Sequence, residues 1–293
     1  MKAFGNYHPF VLLVYFLSVL FVAMFLSNPV LQLITLLGGS LFCMMIQRKK
    51  EIIGNIGFYV PLFLMVAIVN PLFSHNGVTP LFFLNGNPVT FEALLCGIGI
   101  AVMVIGIMMW CKCYSEIMTT DKFLYLFGTI IPKLSLVLSM ALRFIPMFKR
   151  QMQKVSRAQK AMGLYSSKSF VDKIRGHMRV FMAMLSWSLE NVMETSASMK
   201  ARGYGMKGRS HFSLFRFYAN DVLLLAVCVL MLGITLTGAA MGETVFFYYP
   251  RISHLNLSPF AMVIYIAFGI LSFLPFIIEV KEALVWKYYI SKI

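Results

Sequence analysis

Six apolar stretches recur along the chain, and they constrain its fold more than any other feature of the sequence. A helix of about 20 apolar residues crosses the hydrocarbon core of a bilayer, whereas a membrane strand needs only about ten alternating residues. The composition agrees with burial in lipid, since 59% of the residues are hydrophobic and only 13% are charged. We therefore predict an all-α polytopic membrane protein with about six transmembrane helices. The expected spans are residues 10–26, 30–46, 56–73, 91–110, 221–241 and 259–278.

Lysine and arginine are spread unevenly among the segments between these spans. Residues 112–216 carry 18 of the 26 basic residues, and Arg251 is the only one on the opposite side. The other seven lie near the N-terminus, between the second and third spans, and in the C-terminal tail. Because basic residues collect in cytoplasmic loops, this distribution predicts both termini in the cytosol. Membrane orientation thus explains the net charge of +15, and we expect the lipid bilayer and no nucleic acid as a partner.

The cysteines show no spacing that is typical of a metal site or a disulfide framework. Cys111 and Cys113 form an isolated C-x-C pair without a second pair of ligands nearby, and the five histidines are scattered. We therefore expect membrane-buried free thiols and no bound metal.

The basic segment between the fourth and fifth spans is itself rich in apolar residues. Residues 123–148 and 177–199 interleave apolar with polar side chains at near-helical spacing, which predicts two long amphipathic helices. A further pair of transmembrane spans is the alternative. It would place Arg143 or Glu190 inside the bilayer, at a cost of about 2.5–3.5 kcal/mol each. We predict membrane helices 1–4 in residues 1–111, a cytosolic domain of amphipathic helices in 112–218, and membrane helices 5–6 in 219–293.

Two similar short sequences, 40 residues apart, close these amphipathic stretches. Residues 158–164 read Ala-Gln-Lys-Ala-Met-Gly-Leu, and residues 198–204 read Ser-Met-Lys-Ala-Arg-Gly-Tyr. A glycine just past the last turn adopts the left-handed conformation that ends a helix, and basic residues there favour the negative end of the helix dipole. The pattern is explained by two ordinary C-terminal caps. It is also the pattern of a protein that presents two helix ends to two copies of a partner, or to two related partners.

The run MALRFIPMFKRQMQKVSRAQKAMG, from Met140 to Gly163, is followed 40 residues on by SMKARGYG. Together with the Thr119-Thr120 pair, these sequences resemble the transmembrane T component of energy-coupling factor (ECF) transporters, the CbiQ/EcfT family. The resemblance is carried mainly by residues 115–210, and the flanking spans agree only in hydropathy. It implies a scaffold that joins two cytosolic ABC-type ATPase subunits to a substrate-binding membrane S component.

The resemblance also implies which residues dock the ATPases. In this family two coupling helices each end in an Ala-Arg-Gly motif whose arginine enters a groove on one ATPase. Ala201, Arg202 and Gly203 match the second motif in full, whereas Ala161, Met162 and Gly163 match the first with methionine in place of arginine. This departure implies two different ATPases, a heterodimer. The candidate supporting cations are Arg157, Lys160, Lys200 and Arg143, although neither Arg157 nor Lys160 stands at the position of the missing arginine.

The implied function is to couple ATP hydrolysis by the partners to substrate uptake across the plasma membrane of a prokaryote. The chain contains no G-x-x-x-x-G-K-[ST] sequence, so we expect ATP and Mg²⁺ on the ATPases and neither cofactor nor catalytic residue here. A polytopic enzyme acting on lipids is one alternative, but the eleven acidic residues show no D-x-x-D pattern. A stand-alone secondary transporter is another, and it would require intramembrane charges and inverted repeats that the sequence lacks.

Overall fold

The computed structural model describes residues 3–74, 77–84, 87–163, 170–206 and 215–291. Within these ranges it contains nine α-helices and one antiparallel β-hairpin, and a short 3-10 turn (Phe4–Asn6) precedes the first helix. The strands are β1 (Pro80–Leu84) and β2 (Asn87–Thr90). The helices are α1 (Pro9–Phe25), α2 (Pro29–Ile46), α3 (Lys49–Phe73), α4 (Phe91–Ile117), α5 (Thr120–Ile130), α6 (Pro132–Ala161), α7 (Phe170–Ala201), α8 (Ala219–Ala240) and α9 (Pro259–Ile290).

The chain divides into two units according to its internal contacts. Residues 1–123 and 215–293 form one unit, here called the membrane unit, and residues 124–214 form the other, here called the basic unit. In the described part of the chain, five helices are long and apolar enough to cross a membrane, namely α2, α3 from Lys50, α4, α8 and α9. Helix α1 is also apolar and has 17 residues, about the lower limit for a span.

The prediction of an all-α polytopic membrane protein is confirmed, and the six apolar helices of the membrane unit coincide with the six predicted spans. Three of them are longer than the hydropathy pattern indicated, and the first of these is α3, which begins at Lys49 and not at residue 56. Helix α4 continues beyond Trp110 to Ile117, and α9 continues beyond Ile278 to Ile290. Charged side chains end an apolar run without ending a helix, because lysine and glutamate are good helix formers.

Hydrogen bonds gather several chain segments at one end of the membrane unit, here called the terminal end. The backbone N–H of Phe4 donates to Glu279 Oε1 of α9 at 3.0 Å, and that of His8 donates to Asp221 Oδ1 of α8 at 2.9 Å. Lys122, just beyond α4, donates from its Nζ to the carbonyl oxygen of Gly5. The start of the chain, the end of α4, the start of α8 and the second half of α9 therefore lie together.

The opposite end of the membrane unit, here called the hairpin end, is tied in the same way. Asn28, between α1 and α2, donates from Nδ2 to the carbonyl oxygen of Thr244 at 3.2 Å and to the hydroxyl of Tyr265 at 3.1 Å. Ser74, at the end of α3, donates from Oγ to the Tyr249 hydroxyl at 3.2 Å. The six helices thus alternate in direction between the two ends, as six consecutive membrane crossings require.

The core of the membrane unit is an aromatic cluster that lies nearer the terminal end. Phe4, Tyr15, Phe16, Phe42 and Trp110 are each at most 1% exposed, and their rings meet mainly edge to face. The hydrogen-bonding groups within the cluster are satisfied by backbone carbonyls. Trp110 Nε1 donates to Thr35 O at 3.0 Å, and the Tyr15 hydroxyl donates to Leu271 O at 3.0 Å. Such pairing is required where no water is available in lipid.

The sequence pattern predicted only a loop where the structure has the hairpin of β1 and β2. Phe83 pairs with Pro88, and Thr79 donates from both its backbone N–H and its hydroxyl to Glu92 Oε2, which attaches the hairpin to the first turn of α4. The sequence does contain a hairpin signal, because Asn85-Gly86 between two apolar runs favours a tight turn. Those two residues lie outside the described ranges.

The basic unit contains the two long amphipathic helices that the sequence predicted, α6 and α7. The apolar stretch that begins at Phe123 is divided between α5 and α6, because Ile131 is extended (φ −131°, ψ 80°) and Pro132 opens the next helix. A residue before proline is restricted to extended conformations, whereas proline itself suits the first helical position. Pro146 is tolerated inside α6.

Cysteine accessibility in intact cells tests the orientation that the charge pattern predicts. Leu255 in the loop before α9 is 46% exposed, and Gln153 on α6 is also exposed. We expect a membrane-impermeant maleimide to label Leu255→Cys from outside, and to label Gln153→Cys only after the cells are permeabilised. The parent chain with its native cysteines gives the background. External labelling at position 153 would contradict the six-span topology.

Candidate functional site

The end of α7 forms a complete C-terminal cap around the Ala-Arg-Gly sequence. Gly203 is left-handed with φ +82°, and its N–H donates to Lys200 O at 3.0 Å. The N–H of Tyr204 donates to Met199 O, also at 3.0 Å. These two bonds define a Schellman motif, which satisfies carbonyl groups that the end of a helix leaves unpaired. The cap fixes the backbone of Arg202 at the tip of the helix.

The end of α6 has the same backbone geometry at the methionine-containing sequence. Gly163 is left-handed with φ +81°, and its N–H donates to Lys160 O at 3.0 Å. The N–H of Met162 donates to Ala158 O at 3.1 Å, just as the N–H of Arg202 donates to Ser198 O at 3.1 Å. Met162 and Arg202 therefore occupy equivalent positions, and the tips differ in side-chain chemistry. Leu164, which would complete the first cap, lies outside the described residues.

The motif side chains at both tips are open to a partner. Ala161, Met162, Ala201 and Arg202 are all exposed, and Met162 is 69% exposed. An exposed arginine at a helix end is ordinary, because its charge is hydrated and favours the helix dipole. A methionine at the tip gains nothing from water or the dipole, so its position favours contact with an apolar surface of another molecule.

The candidate supporting cations lie in two places. Arg157, Lys160 and Lys200 are exposed on the last turns of α6 and α7, beside the motif residues. Arg143 is also exposed but lies near the middle of α6, far along the helix from Met162. Its neighbour across the basic unit is the end of α7.

Helices α6 and α7 cross near their midpoints. The rings of Phe148 and Trp187 meet edge to face there, with centroids 5.4 Å apart. A cleft of about 360 Å³ lies beside this crossing, lined by α6 residues that precede Phe148 and α7 residues that follow Trp187. The helices are therefore antiparallel where they cross, and their C-terminal tips project from opposite sides of the crossing.

The cleft brings Arg143 and Arg202 onto the walls of one space, together with Glu194. Within the described residues, no acidic side chain forms an ion pair with either arginine. Sequence reasoning identified both arginines but did not place them together, and it missed Glu194. A signal for Glu194 was available, because residues 194, 198 and 202 follow at intervals of four and so share one face of α7.

A continuous apolar face remains exposed along α7. Its members recur at helical spacing and are each between 41% and 68% exposed. Among the methionines of α7, Met178, Met182 and Met193 are exposed, whereas Met184 is buried and Met199 is partly buried. The α7 apolar face consists of Val171, Ile174, Met178, Phe181, Met182, Leu185, Leu189, Val192 and Met193.

The described part of the chain contains no group of three or more histidine, cysteine, aspartate or glutamate side chains placed to hold a metal ion. All five cysteines are free thiols, and Cys43, Cys113 and Cys228 are buried.

Similarity to known proteins extends over most of the chain. The family model CbiQ, described as a cobalt transport protein, matches residues 7–214. The chain is 30% identical to the energy-coupling factor transporter transmembrane protein EcfT of Listeria innocua over 58% of this chain and 74% of that protein. It is 25% identical to EcfT of Staphylococcus aureus, covering 57% and 67% of the two chains, and 27% identical to EcfT of Lactobacillus helveticus, covering 39% and 42%.

Replacing Gly203 tests whether the left-handed cap holds the tip of α7 in place. Gly203→Ala should destabilise the cap by about 1–2 kcal/mol, because a Cβ disfavours the left-handed conformation. Hydrogen–deuterium exchange of the peptide that covers residues 199–206 should become roughly 5- to 30-fold faster where the cap bonds break. Gly203→Asn, which tolerates this conformation, should change exchange much less. Equal exchange in the native and alanine proteins would show that the cap contributes nothing.

Proposed function

The chain belongs to the CbiQ family, the T components of energy-coupling factor transporters, and from this premise we propose that it joins two cytosolic ABC-type ATPases to a substrate-binding S component. In this role it is a non-catalytic membrane subunit of an ATP-driven importer. The single observation that carries the proposal is the pair of matching caps, which present Met162 and Arg202 at equivalent exposed positions on two helix tips. Two equivalent tips on opposite sides of a helix crossing suit two related partners.

The physical role of Arg202 in docking follows from its chemistry. A guanidinium donates paired hydrogen bonds to a carboxylate in a fixed plane, so the contact has direction as well as strength. A tip held by such a contact follows a rigid movement of the ATPase more faithfully than a purely apolar patch. Arg143, on the same cleft, adds positive charge beside Arg202 and would draw an acidic groove toward α7.

The methionine at the other tip favours two different ATPases. Met162 fills volume in a groove but offers no hydrogen bond to an acidic group. If both ATPases had the same acidic groove, the carboxylate at the Met162 tip would therefore have no hydrogen-bond donor. An apolar groove on a second, different ATPase would instead gain from burying this side chain. We therefore propose a heterodimer whose two grooves differ in polarity.

The proposed role assigns no cofactor to this chain. ATP and Mg²⁺ would be bound by the two ATPases, which supply the hydrolysis that the T component transmits. The two termini and the basic unit would face the cytosol of a prokaryotic cell, with the membrane unit in the plasma membrane.

The α7 apolar face is a candidate contact for the S component. A long amphipathic helix normally buries its apolar side, and exposure from Val171 to Met193 calls for a partner or for the membrane surface. Met178, Met182 and Met193 are flexible and repack easily, so this face would adapt to a partner that moves during transport.

Reversing the charge of Arg202 tests its proposed role in docking. We expect Arg202→Glu to release at least one ATPase from the purified complex and to abolish uptake, while membrane insertion is retained. Arg179→Glu, another exposed arginine on α7, is the matched control and should retain both ATPases. Normal uptake and full ATPase retention in Arg202→Glu would refute the docking role.

The polarity of the second groove is tested by adding the missing arginine. If the groove is apolar, Met162→Arg buries an unpaired cation and weakens ATPase retention. This loss of retention should exceed that of Met162→Ala, which only removes apolar contact. Met152→Arg, at a 51% exposed methionine elsewhere on α6, controls for added charge. Retention should be measured at several salt concentrations. Tighter and salt-sensitive retention of Met162→Arg would show that the groove is acidic, against our expectation.

A further inference from the structure

A small cavity at the hairpin end of the membrane unit contains a buried amide oxygen that has no hydrogen-bond partner among the described residues. The cavity has a volume of about 200 Å³ and lies between α2, α4 and the segment that joins α8 to α9. Its walls are mostly apolar, and they include Leu33, Ile98 and Phe246. Gln32 also lines it and is 4% exposed, and none of the described residues forms a hydrogen bond with Gln32 Oε1.

A second polar group borders the same space. Gly99 of α4 lets the Tyr248 hydroxyl approach the helix closely, since a Cβ at this position would lie 2.5 Å from that hydroxyl and 3.5 Å from Gln32 Oε1. Both oxygens therefore face the space beside Gly99. The Tyr248 hydroxyl can donate and accept, whereas Gln32 Oε1 can only accept.

The chemistry of these two groups specifies what would fill the cavity. A buried polar atom without a hydrogen bond keeps its full desolvation cost, so a ligand that pairs it is favoured. A ligand hydroxyl accepts from Tyr248 and donates to Gln32 Oε1 at the same time. If the Gln32 amide turns so that Nε2 takes this place, a hydroxyl still serves, because it also accepts.

We propose that this cavity binds the headgroup of an anionic phospholipid that carries free hydroxyls, the phosphatidylglycerol type. The position fits a lipid, because the lining residue Pro29 is the first residue of α2, so the cavity lies at the depth where a span begins. Leu33 is 51% exposed on the same wall and continues into the lipid-facing surface. Tyrosine is typical of this interfacial level.

Charge supports an anionic lipid in particular. Arg251 is exposed and directly precedes the lining residue Ile252. It is also the only lysine or arginine in the segments at this end of the membrane unit. Arg251 is one residue from the cavity wall, so a lipid phosphate bound beside the cavity would lie near a cation. The hydroxyls of the same headgroup would then reach Gln32 and Tyr248.

Native mass spectrometry of the full chain, purified from its membrane in mild detergent, tests the proposal. The protein is offered equal amounts of phosphatidylglycerol and phosphatidylethanol, which carry the same charge but differ in the headgroup hydroxyls, with phosphatidylcholine as the zwitterionic reference. We expect retention of phosphatidylglycerol to exceed that of phosphatidylethanol about tenfold, the difference expected for about 1.4 kcal/mol of net hydrogen bonding.

Variants assign this preference to the cavity. Gln32→Met and Tyr248→Phe should each bring the ratio of the two anionic lipids close to one. Gly99→Ala should lower retention of phosphatidylglycerol, because the added methyl group would clash with the Tyr248 hydroxyl and displace it. Gly269→Ala, a membrane-helix glycine with open space around it, is the matched control and should change nothing. Arg251→Gln should lower retention of both anionic lipids alike and leave their ratio unchanged.

Two outcomes would overturn the proposal. One is equal retention of phosphatidylglycerol and phosphatidylethanol by the native chain, which would mean that the cavity holds water only. The other is an unchanged preference in both Gln32→Met and Tyr248→Phe, which would place the lipid elsewhere. Circular dichroism of each variant establishes that it is folded. Tyr248→Phe removes only one oxygen atom, from a segment outside the helices, and so should not affect folding. The Tyr248→Phe measurement therefore remains informative even if Gln32→Met unfolds.

Discussion

The carboxylate of Asp221 is the contact on which the arrangement of the membrane unit depends most. It is 3% exposed and accepts from the backbone N–H of His8 and of Tyr218, each at 2.9 Å. Hydrogen bonds to a buried carboxylate are strong because the acceptor is charged and water cannot compete. One side chain thereby caps the start of α8 and fixes the segment that precedes α1.

The segment before α1, which Asp221 holds in place, also contacts the two segments that lead into and out of the basic unit. Lys122, on the entering segment, reaches the carbonyl oxygen of Gly5, and Phe217, on the leaving segment, stacks on the ring of His8 with centroids 3.7 Å apart. The short stretch before α1 thus touches both connections. Both connections are therefore held against the same part of the membrane unit.

The tips of α6 and α7 combine an ordinary C-terminal cap with an exposed candidate docking residue. The left-handed glycines Gly163 and Gly203 would stop any helix, and their hydrogen bonds serve only the backbone. The same geometry leaves the preceding side chain outermost and exposed, so the residue before the glycine decides what the tip can bind. The two tips have the same backbone geometry, but one carries an arginine and the other a methionine. This difference is the basis for proposing two different ATPases.

The sequence by itself determined the features that depend on neighbours within about one helical turn or on the length of an apolar run. These are the six apolar helices, the two amphipathic helices, the glycine caps and the candidate side chains at both tips. Only the tertiary structure decided that Arg143 and Arg202 share a cleft, because that depends on where α6 crosses α7. It also decided that Met184 is buried while Met182 is exposed, since the crossing selects which face of α7 is covered. The amide oxygen of Gln32, which has no hydrogen-bond partner within the described ranges, is a further case, because its pairing depends on every segment around it and no local pattern records that.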